Sequence, residues 1–190
     1  MPPQALYPVF LDLEGLPVVI VGGGPVAAGK LEGLLAARAR VTVIAPQICD
    51  AIRAHDVTLV ERAFVPADLD GARWVVAAAP PAINHDVAEA AAARGLFVNA
   101  VDDTASASAY LGGVVRRGDV TVAISTRGIA PALAGLLREA LDAMLPAELE
   151  RWIEVARDVR AEWKQAGVPM AQRRPLLMRA LDRLYPEVRS

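Results

Sequence analysis

The fold is decided by residues 16–27, which read Leu-Pro-Val-Val-Ile-Val-Gly-Gly-Gly-Pro-Val-Ala. The first half is a short, continuous apolar run rich in β-branched residues, which is typical of a strand buried on both faces of a parallel sheet. Three glycines end the run, and residues 27–38 have the composition of a helix. The stretch therefore predicts a strand, a tight turn and a helix in immediate succession.

The same alternation continues along the chain. Four more apolar runs predict strands and two segments between them predict helices: the strands at residues 40–44, 57–60, 74–78 and 96–99, the helices at 48–54 and 83–94. Strands that alternate with helices indicate βαβ units. We therefore expect an α/β domain, a Rossmann-type doubly wound parallel sheet, over residues 1–108.

The pattern changes near Thr104. Two apolar runs around a polar turn predict a β-hairpin, and three later segments predict helices: the runs are 110–115 and 120–124, the helices 131–144, 148–165 and 170–184. We therefore expect a β-hairpin-plus-helix segment over residues 109–145 and a small helical C-terminal domain over residues 146–190.

Composition restricts the function classes. The chain of 190 residues is 54% hydrophobic with a net charge of −2, so it should fold, and no global charge attracts nucleic acid or an anionic membrane. No apolar stretch approaches the roughly 20 residues of a membrane helix, and residues 1–4 do not resemble a signal peptide. The single cysteine, Cys49, suits a reducing cytoplasm and is expected to be a small, buried apolar side chain.

Residues 22–27 fit the pattern G-x-G-x-x-A, which binds dinucleotides when it follows a strand and opens a helix. Gly22 would permit the tight turn, Gly24 would let the backbone approach a pyrophosphate, and Ala27 would let the helix pack close to the sheet. The alternative is a tight turn without a ligand. The predicted contacts of a nicotinamide dinucleotide are Gly22, Gly23, Gly24, Pro25, Val26, Ala27, Ala45, Pro46, Ala78, Ala79 and Val101.

The usual determinant of cofactor choice is missing. An acidic residue about 20 positions after the glycine turn usually binds the ribose hydroxyls, but Ala45 and Pro46 stand at that place. No arginine stands there to bind an extra phosphate, because Arg53 lies further along, on the next predicted helix. The spacing alone therefore leaves NAD and NADP open.

Longer motifs resemble one family. Residues 7–15 and 18–30 resemble the start of the siroheme synthase N-terminal domains, which are precorrin-2 dehydrogenases and in some members also sirohydrochlorin ferrochelatases. The resemblance continues at Asn99-Ala100-Val101-Asp102-Asp103 and over residues 116–126, which begin Arg116-Arg117-Gly118-Asp119. It continues again at Gly128, Pro131, Ala132-Leu133-Ala134 and Leu137-Arg138-Glu139. It extends from residue 7 to about residue 145 in the same order.

The resemblance implies oxidation of precorrin-2 to sirohydrochlorin with NAD as the cofactor, followed in some members by insertion of ferrous iron. It also implies a homodimer in which residues 109–145 are a dimerisation segment, and an exposed hairpin with an apolar helix agrees with this. Two alternatives stay open. One is a non-catalytic module that senses NAD or binds a tetrapyrrole, and the other is a dehydrogenase of a different substrate.

The catalytic aspartate of the family falls on Asp102, just after the fifth predicted strand. Removal of a hydride leaves a proton that a nearby base must accept. An ordinary aspartate is a weak base at neutral pH, so the role requires partial burial beside the substrate. The alternative for Asp102 is a turn residue, and a turn role is expected for its neighbour Asp103.

A tetrapyrrole with many carboxylates requires basic contacts. The candidates are arginines, because guanidinium groups match carboxylates, and Ser125, on which a functional serine of the family falls: Arg116, Arg117, Arg127, Arg138 and Ser125. The alternatives are a solvated hairpin tip for Arg116-Arg117 and a simple helix start after Ser125.

No metal site is predicted, since the only histidines, His55 and His85, have no ligand spacing and are expected at the surface.

Some positions depart from the family pattern. After the fourth strand, this chain has Ala79-Pro80-Pro81 where the family usually has a threonine and acidic or amide residues. Before the hairpin, it has Tyr110-Leu111-Gly112-Gly113 where the family usually has a run of aromatic residues and proline. Ala130 stands where a serine is common, and Arg127 where a glycine is common. These departures cluster around the predicted substrate cleft, so they bear on substrate choice.

Overall fold

The computed structural model describes residues 5–184. It contains two compact units, the first formed by residues up to Leu111 together with Arg127–Ile129, the second by Gly112–Thr126 and the residues from Ala130 onward. The three-part division into residues 1–108, 109–145 and 146–190 stays a prediction. Residues 1–4, which are not expected to be a signal peptide, lie outside the described part of the chain. The last six residues of the predicted C-terminal domain, 185–190, lie outside it as well.

The first unit contains a parallel sheet of five strands in the order β3-β2-β1-β4-β5. Its strands are β1 Pro17–Val21, β2 Arg40–Ile44, β3 Thr58–Val60, β4 Trp74–Ala77 and β5 Val98–Ala100. The connections contain α1 Pro25–Ala36, α2 Asp50–Arg53, a 3₁₀ helix Pro66–Leu69 and α3 Pro81–Ala92. The predicted Rossmann-type fold is confirmed, and the strand order reverses beside β1, where such sheets bind ligands.

Both faces of the sheet are buried, as the continuous apolar strands predict. Val18 and Ile20 of β1 pack on the side that holds α1, whereas Val19 and Val21 pack on the side that holds α3. Successive side chains of a strand point to opposite faces, so one apolar run supplies two cores. This arrangement fixes the end of β1 between its neighbours and thereby positions the glycine turn.

The connection from β3 to β4 contains no α-helix, and the sequence predicts none. Its 3₁₀ helix contributes Leu69, which is buried. Asp68 accepts hydrogen bonds from the Val65 N–H at 2.8 Å and from the Arg62 guanidinium. The Asp68 carboxylate therefore binds both the Arg62 side chain and the Val65 backbone amide, and these bonds hold the short crossover in place.

The second unit consists of a β-hairpin and three helices, as predicted. The hairpin strands are β6 Gly113–Arg117 and β7 Val120–Ile124, and the helices are α4 Pro131–Met144, α5 Leu149–Gln165 and α6 Met170–Asp182. Helix α4 packs closely on β6, because a Cβ at Gly113 would lie 2.9 Å from the Ala134 carbonyl oxygen. Within residues 5–184, no helix is long and apolar enough to cross a membrane.

Candidate functional site

The carboxyl ends of four strands are joined by hydrogen bonds between their exit residues. The Gly22 N–H donates to Ile44 O at 2.9 Å, the Ala78 N–H to Val21 O at 2.8 Å, and the Val101 N–H to Ala77 O at 2.9 Å. The predicted cofactor contacts after β1, β2, β4 and β5 therefore lie along one edge of the sheet.

Two of the three glycines are required by the protein itself. Gly22 has φ +129°, and a Cβ there would lie 2.2 Å from the Ala78 carbonyl oxygen. At Gly23 an added Cβ would lie 2.0 Å from the Gln47 carbonyl oxygen. These distances are far inside van der Waals contact, so the turn can approach the loops after β4 and β2 only without side chains.

Gly24 is different, because a Cβ there would meet no protein atom within 4 Å. It is the N-cap of α1, and Pro25 is the first helical residue. The first turn of a helix leaves N–H groups without intrahelical partners and carries a partial positive charge. Open space before such an N-terminus fits the diphosphate of a dinucleotide. The fully buried Ala27 lets α1 pack close to the sheet, as predicted.

The loop after β2 is tied to the glycine turn. The Cys49 N–H donates to Gly23 O at 2.8 Å, and the Ala45 N–H donates to Val60 O at 3.2 Å. Ala45 is buried and Pro46 is exposed. Cys49 is half-buried and packs against the core, so its predicted apolar role is met in part. The loop thereby forms one wall beside the turn.

Asn84 is a buried residue that the sequence analysis missed. It is 2% exposed and lies in the first turn of α3. Its Oδ1 accepts from the Ala79 N–H at 3.0 Å, and its Nδ2 donates to Val101 O at 3.4 Å. One side chain thus connects the loops after β4 and β5. A lone amide among the apolar positions of a predicted helix is the signal that could have indicated it.

The loop after β5 carries the two neighbouring aspartates in different roles. Asp102 is exposed and has φ +56°. Oδ1 of Asp103 accepts hydrogen bonds from the Ala105 and Ser106 N–H groups at 3.1 Å each. Hydrogen bonds from Ser106 lower the pKa of the Asp103 carboxyl. Asp103 therefore has the predicted turn role. Asp102 lies in the same loop, and its role as a base stays a prediction.

The candidate substrate residues are divided between the two units. Arg127 belongs to the first unit with Asp102, while Arg116, Ser125 and Arg138 belong to the second. Arg127 has φ +57°, a conformation that costs a non-glycine residue about 1–2 kcal/mol. The next residue, Gly128, packs on the loop after β5, where its Cβ would lie 2.8 Å from Thr104 Cγ2.

The hairpin arginines differ in their surroundings. Arg116 is exposed on β6. Arg117 is not a solvated tip residue, since its guanidinium donates to the Asp142 carboxylate at 3.1 Å and to the Asp142 carbonyl at 3.0 Å. Arg117 therefore holds the hairpin on α4. Arg138 of α4 contacts Glu139 at 3.1 Å.

The histidines are surface residues, as expected. His55 is exposed, and His85 pairs with Glu89 one turn along α3 at 3.3 Å. Across residues 5–184, no three His, Cys, Asp or Glu side chains form a group that could hold a metal ion.

A family model described as putative NAD(P)-binding matches residues 9–113. The chain belongs to this family. Membership confirms the predicted nicotinamide dinucleotide cofactor, and the matched range includes every cofactor contact predicted from the sequence. In this member of the family, a side chain added at Gly24 would fill the open space of the turn without contacting other protein atoms.

The curated relatives are longer proteins. The chain is 39% identical over 180 residues to the siroheme synthase of Photorhabdus laumondii subsp. laumondii, covering 92% of this chain and 38% of the relative. It is 41% identical over 177 residues to siroheme synthase 2 of Aeromonas salmonicida, covering 91% and 37%. The chain thus spans less than two fifths of these relatives. The resemblance indicated by the motifs is confirmed.

A solved structure shares the fold. The structure titled "SirC, precorrin-2 dehydrogenase" matches with a TM-score of 0.73 at 24% identity, covering 92% of this chain and 88% of that chain. At this identity the match supports the architecture, which includes both the sheet and the segments after it.

Proposed function

We propose that this chain is an NAD-dependent dehydrogenase that oxidises precorrin-2 to sirohydrochlorin in siroheme biosynthesis. The observation that carries the proposal is the 39% identity to a siroheme synthase across 92% of the chain. The open space at Gly24 supports it independently, because a dinucleotide needs that space for its diphosphate.

In this proposal the cofactor lies along the carboxyl edge of the sheet. Residues 22–27 hold the diphosphate, and the loops after β2, β4 and β5 line its sides through Ala45, Pro46, Ala78, Ala79 and Val101. Bound NAD supplies a nicotinamide carbon that accepts a hydride. Asn84 keeps two of these loops at a constant separation, since it bonds to both.

Asp102 is the proposed catalytic residue. Oxidation of precorrin-2 would transfer a hydride to bound NAD⁺ and a proton to the Asp102 carboxylate, which would then release the proton to water. Asp102 is exposed in the chain alone, so the partial burial that strengthens a carboxylate base would come from bound substrate. Ser125, Arg116, Arg127 and Arg138 are proposed to bind the substrate carboxylates.

A homodimer and a cytoplasmic location are part of the proposal. Exposed leucines on α4 support the dimer: Leu133, Leu136 and Leu137 are 48%, 62% and 41% exposed. Such a row on one amphipathic helix is typical of a contact surface. Sedimentation analysis of the purified chain tests this part, and a monomer at all micromolar concentrations would contradict it.

The activity is tested by anaerobic incubation of the chain with precorrin-2 and NAD. We expect stoichiometric NADH and the absorbance of sirohydrochlorin. NAD binding without either product would favour a non-catalytic module, and NADH formed only with another substrate would favour a different dehydrogenase. Ferrous ion added after completion tests for iron insertion into the product.

A further inference from the structure

An ion pair lies beside the end of β2. Arg53, the last residue of α2, donates from Nη1 to Glu61 Oε1 at 2.9 Å and from Nη2 to Glu61 Oε2 at 2.6 Å. Its Nε donates to the Ile48 carbonyl oxygen at 3.1 Å. Both arms of the guanidinium fork therefore bind one carboxylate, while the third nitrogen fixes the side chain on the loop after β2.

The pair lies where dinucleotide-binding sheets distinguish their cofactors. Selection depends on the group that meets the adenosine ribose near the end of β2, an acid for the 2′-hydroxyl of NAD or an arginine for the 2′-phosphate of NADP. Glu61 directly follows Val60, whose carbonyl accepts the N–H of Ala45. The loop that leads into α2, the helix of Arg53, is tied to Gly23 through the Cys49 N–H.

The charges around Arg53 oppose a phosphate. A hydrogen bond and the negative charge of Glu61 raise the pKa of the Arg53 guanidinium, and Arg53 in turn lowers the pKa of the Glu61 carboxyl. Both groups are therefore ionised at neutral pH. Asp50, in the first turn of α2, adds a second negative charge near Arg53. A 2′-phosphate would have to displace one carboxylate and approach another.

We propose that Glu61 makes this chain selective for NAD over NADP by occupying the Arg53 guanidinium that would otherwise bind the 2′-phosphate. The inference rests on the proposed function, because it requires a dinucleotide at the glycine turn. The Arg53 and Glu61 side chains are 40% and 50% exposed, so both are accessible from solvent. Glu61 thus provides an acidic residue directly after the neighbouring strand β3, whereas none stands directly after β2.

The test measures the dissociation constants of NAD and NADP by titration calorimetry. We expect wild type to bind NAD more tightly than NADP. In Glu61→Gln the released guanidinium should tighten NADP binding about tenfold, the effect of roughly one charge-assisted hydrogen bond, with little change for NAD. Adding Arg53→Gln to Glu61→Gln should remove the gain.

A matched control separates this local effect from a change in net charge. Asp68→Asn also removes one carboxylate from an arginine pair, that of Arg62, but on the β3–β4 crossover. It should leave the ratio of NAD to NADP affinity unchanged. The gain in Glu61→Gln should also shrink as salt rises, because screening weakens exposed charge contacts.

The outcomes separate the two claims. If Glu61→Gln and wild type bind NADP with equal affinity and both bind NAD, the role of Glu61 would be overturned and the proposed function would stand. A gain that persists without Arg53 would overturn it as well. Failure of wild type to bind either dinucleotide would remove both the inference and the proposed function.

Discussion

At the residue scale, the three glycines after β1 respond differently to a side chain. Gly22 and Gly23 face backbone carbonyls, so any Cβ there forces strands or loops apart. Gly24 faces open space, so a side chain there affects only what binds in that space. One motif therefore combines two positions required by the fold with one that the fold leaves open and that the proposed diphosphate site requires, and substitutions can separate them.

The first prediction concerns Gly24→Asp. Aspartate is a favourable N-cap, so the melting temperature of the apoprotein should stay within a few degrees of wild type. Dinucleotide binding should be lost, because the new carboxylate occupies the space of the diphosphate and repels it. Calorimetric titration with NAD measures this, and an unchanged dissociation constant would contradict the assignment.

Gly23→Ala serves as the control for this prediction. Its Cβ would overlap the Gln47 carbonyl, so we expect loss of stability, of the order of 1–3 kcal/mol, measured by denaturant unfolding. A variant that is as stable as wild type would show that the loop after β2 can move aside.

The second prediction concerns Asp102→Asn. Asparagine tolerates positive φ almost as well as aspartate, so the fold and NAD affinity should be retained. Turnover of precorrin-2 should fall by about 10²–10⁴-fold, the usual contribution of a general base. Single-turnover NADH formation under anaerobic conditions measures it. Asp103→Asn, which keeps an oxygen acceptor for the turn, is the control, and equal losses in both variants would argue against a specific role for Asp102.

At the scale of elements, polar side chains hold connections that contain little regular secondary structure. The β3–β4 crossover has only a single turn of 3₁₀ helix, and Asp68 holds it through Arg62 and the Val65 N–H. Asn84 has a similar effect on the loops after β4 and β5. In both cases one polar side chain satisfies backbone groups that no helix or strand satisfies.

The third prediction follows from the pKa of Asp68, which its hydrogen bond from Arg62 lowers below 3.8. Stabilisation by a carboxyl with a lowered pKa is present above its unfolded pKa and is lost as the pH falls through the folded value. Asp68→Asn should therefore reduce the free energy of unfolding by about 1 kcal/mol at pH 7. The difference from wild type should shrink as the pH falls through the lowered pKa of Asp68.

Urea unfolding at pH 7 and at a series of acidic pH values measures this difference. Asp70→Asn is the comparison, because its pair with Arg94 leaves the Asp70 side chain 68% exposed. Solvent screens exposed pairs, so Asp70→Asn should change stability less at pH 7. A deficit of Asp68→Asn that stays constant across this pH range would exclude the ionised carboxylate as its cause.

At the scale of the whole molecule, cofactor binding and folding of the first unit are coupled. The predicted cofactor contacts come from loops after β1, β2, β4 and β5, which are adjacent only when the sheet is formed. An unfolded chain cannot present them together, so NAD should bind the folded state alone. Ligand binding then stabilises the fold by mass action.

The fourth prediction is a shift in thermal unfolding. NAD at 100 times its dissociation constant should raise the free energy of unfolding by about 2.7 kcal/mol. Differential scanning calorimetry with and without NAD measures the shift. Gly24→Asp should show no shift at the same concentration, and an equal shift in that variant would place the ligand elsewhere.

The sequence by itself determined the architecture and the cofactor class. Each strand is a short apolar run, and the glycine turn joins adjacent residues, so local pattern was sufficient to predict them. Helix ends differ by a few residues from the expected ones: α2 begins at Asp50 rather than at residue 48. The 3₁₀ helix was missed because a single turn has too few residues to show a period.

Only the tertiary structure decided which polar residues meet. Asn84 reaches Val101, and Arg53 reaches Glu61, through contacts between separate elements. The positive φ of Asp102 and Arg127 was likewise not predicted from the sequence. Local pattern records which face of a helix or strand is apolar, but a hydrogen bond depends on where two distant backbones come to lie. Those positions exist only once the sheet has assembled.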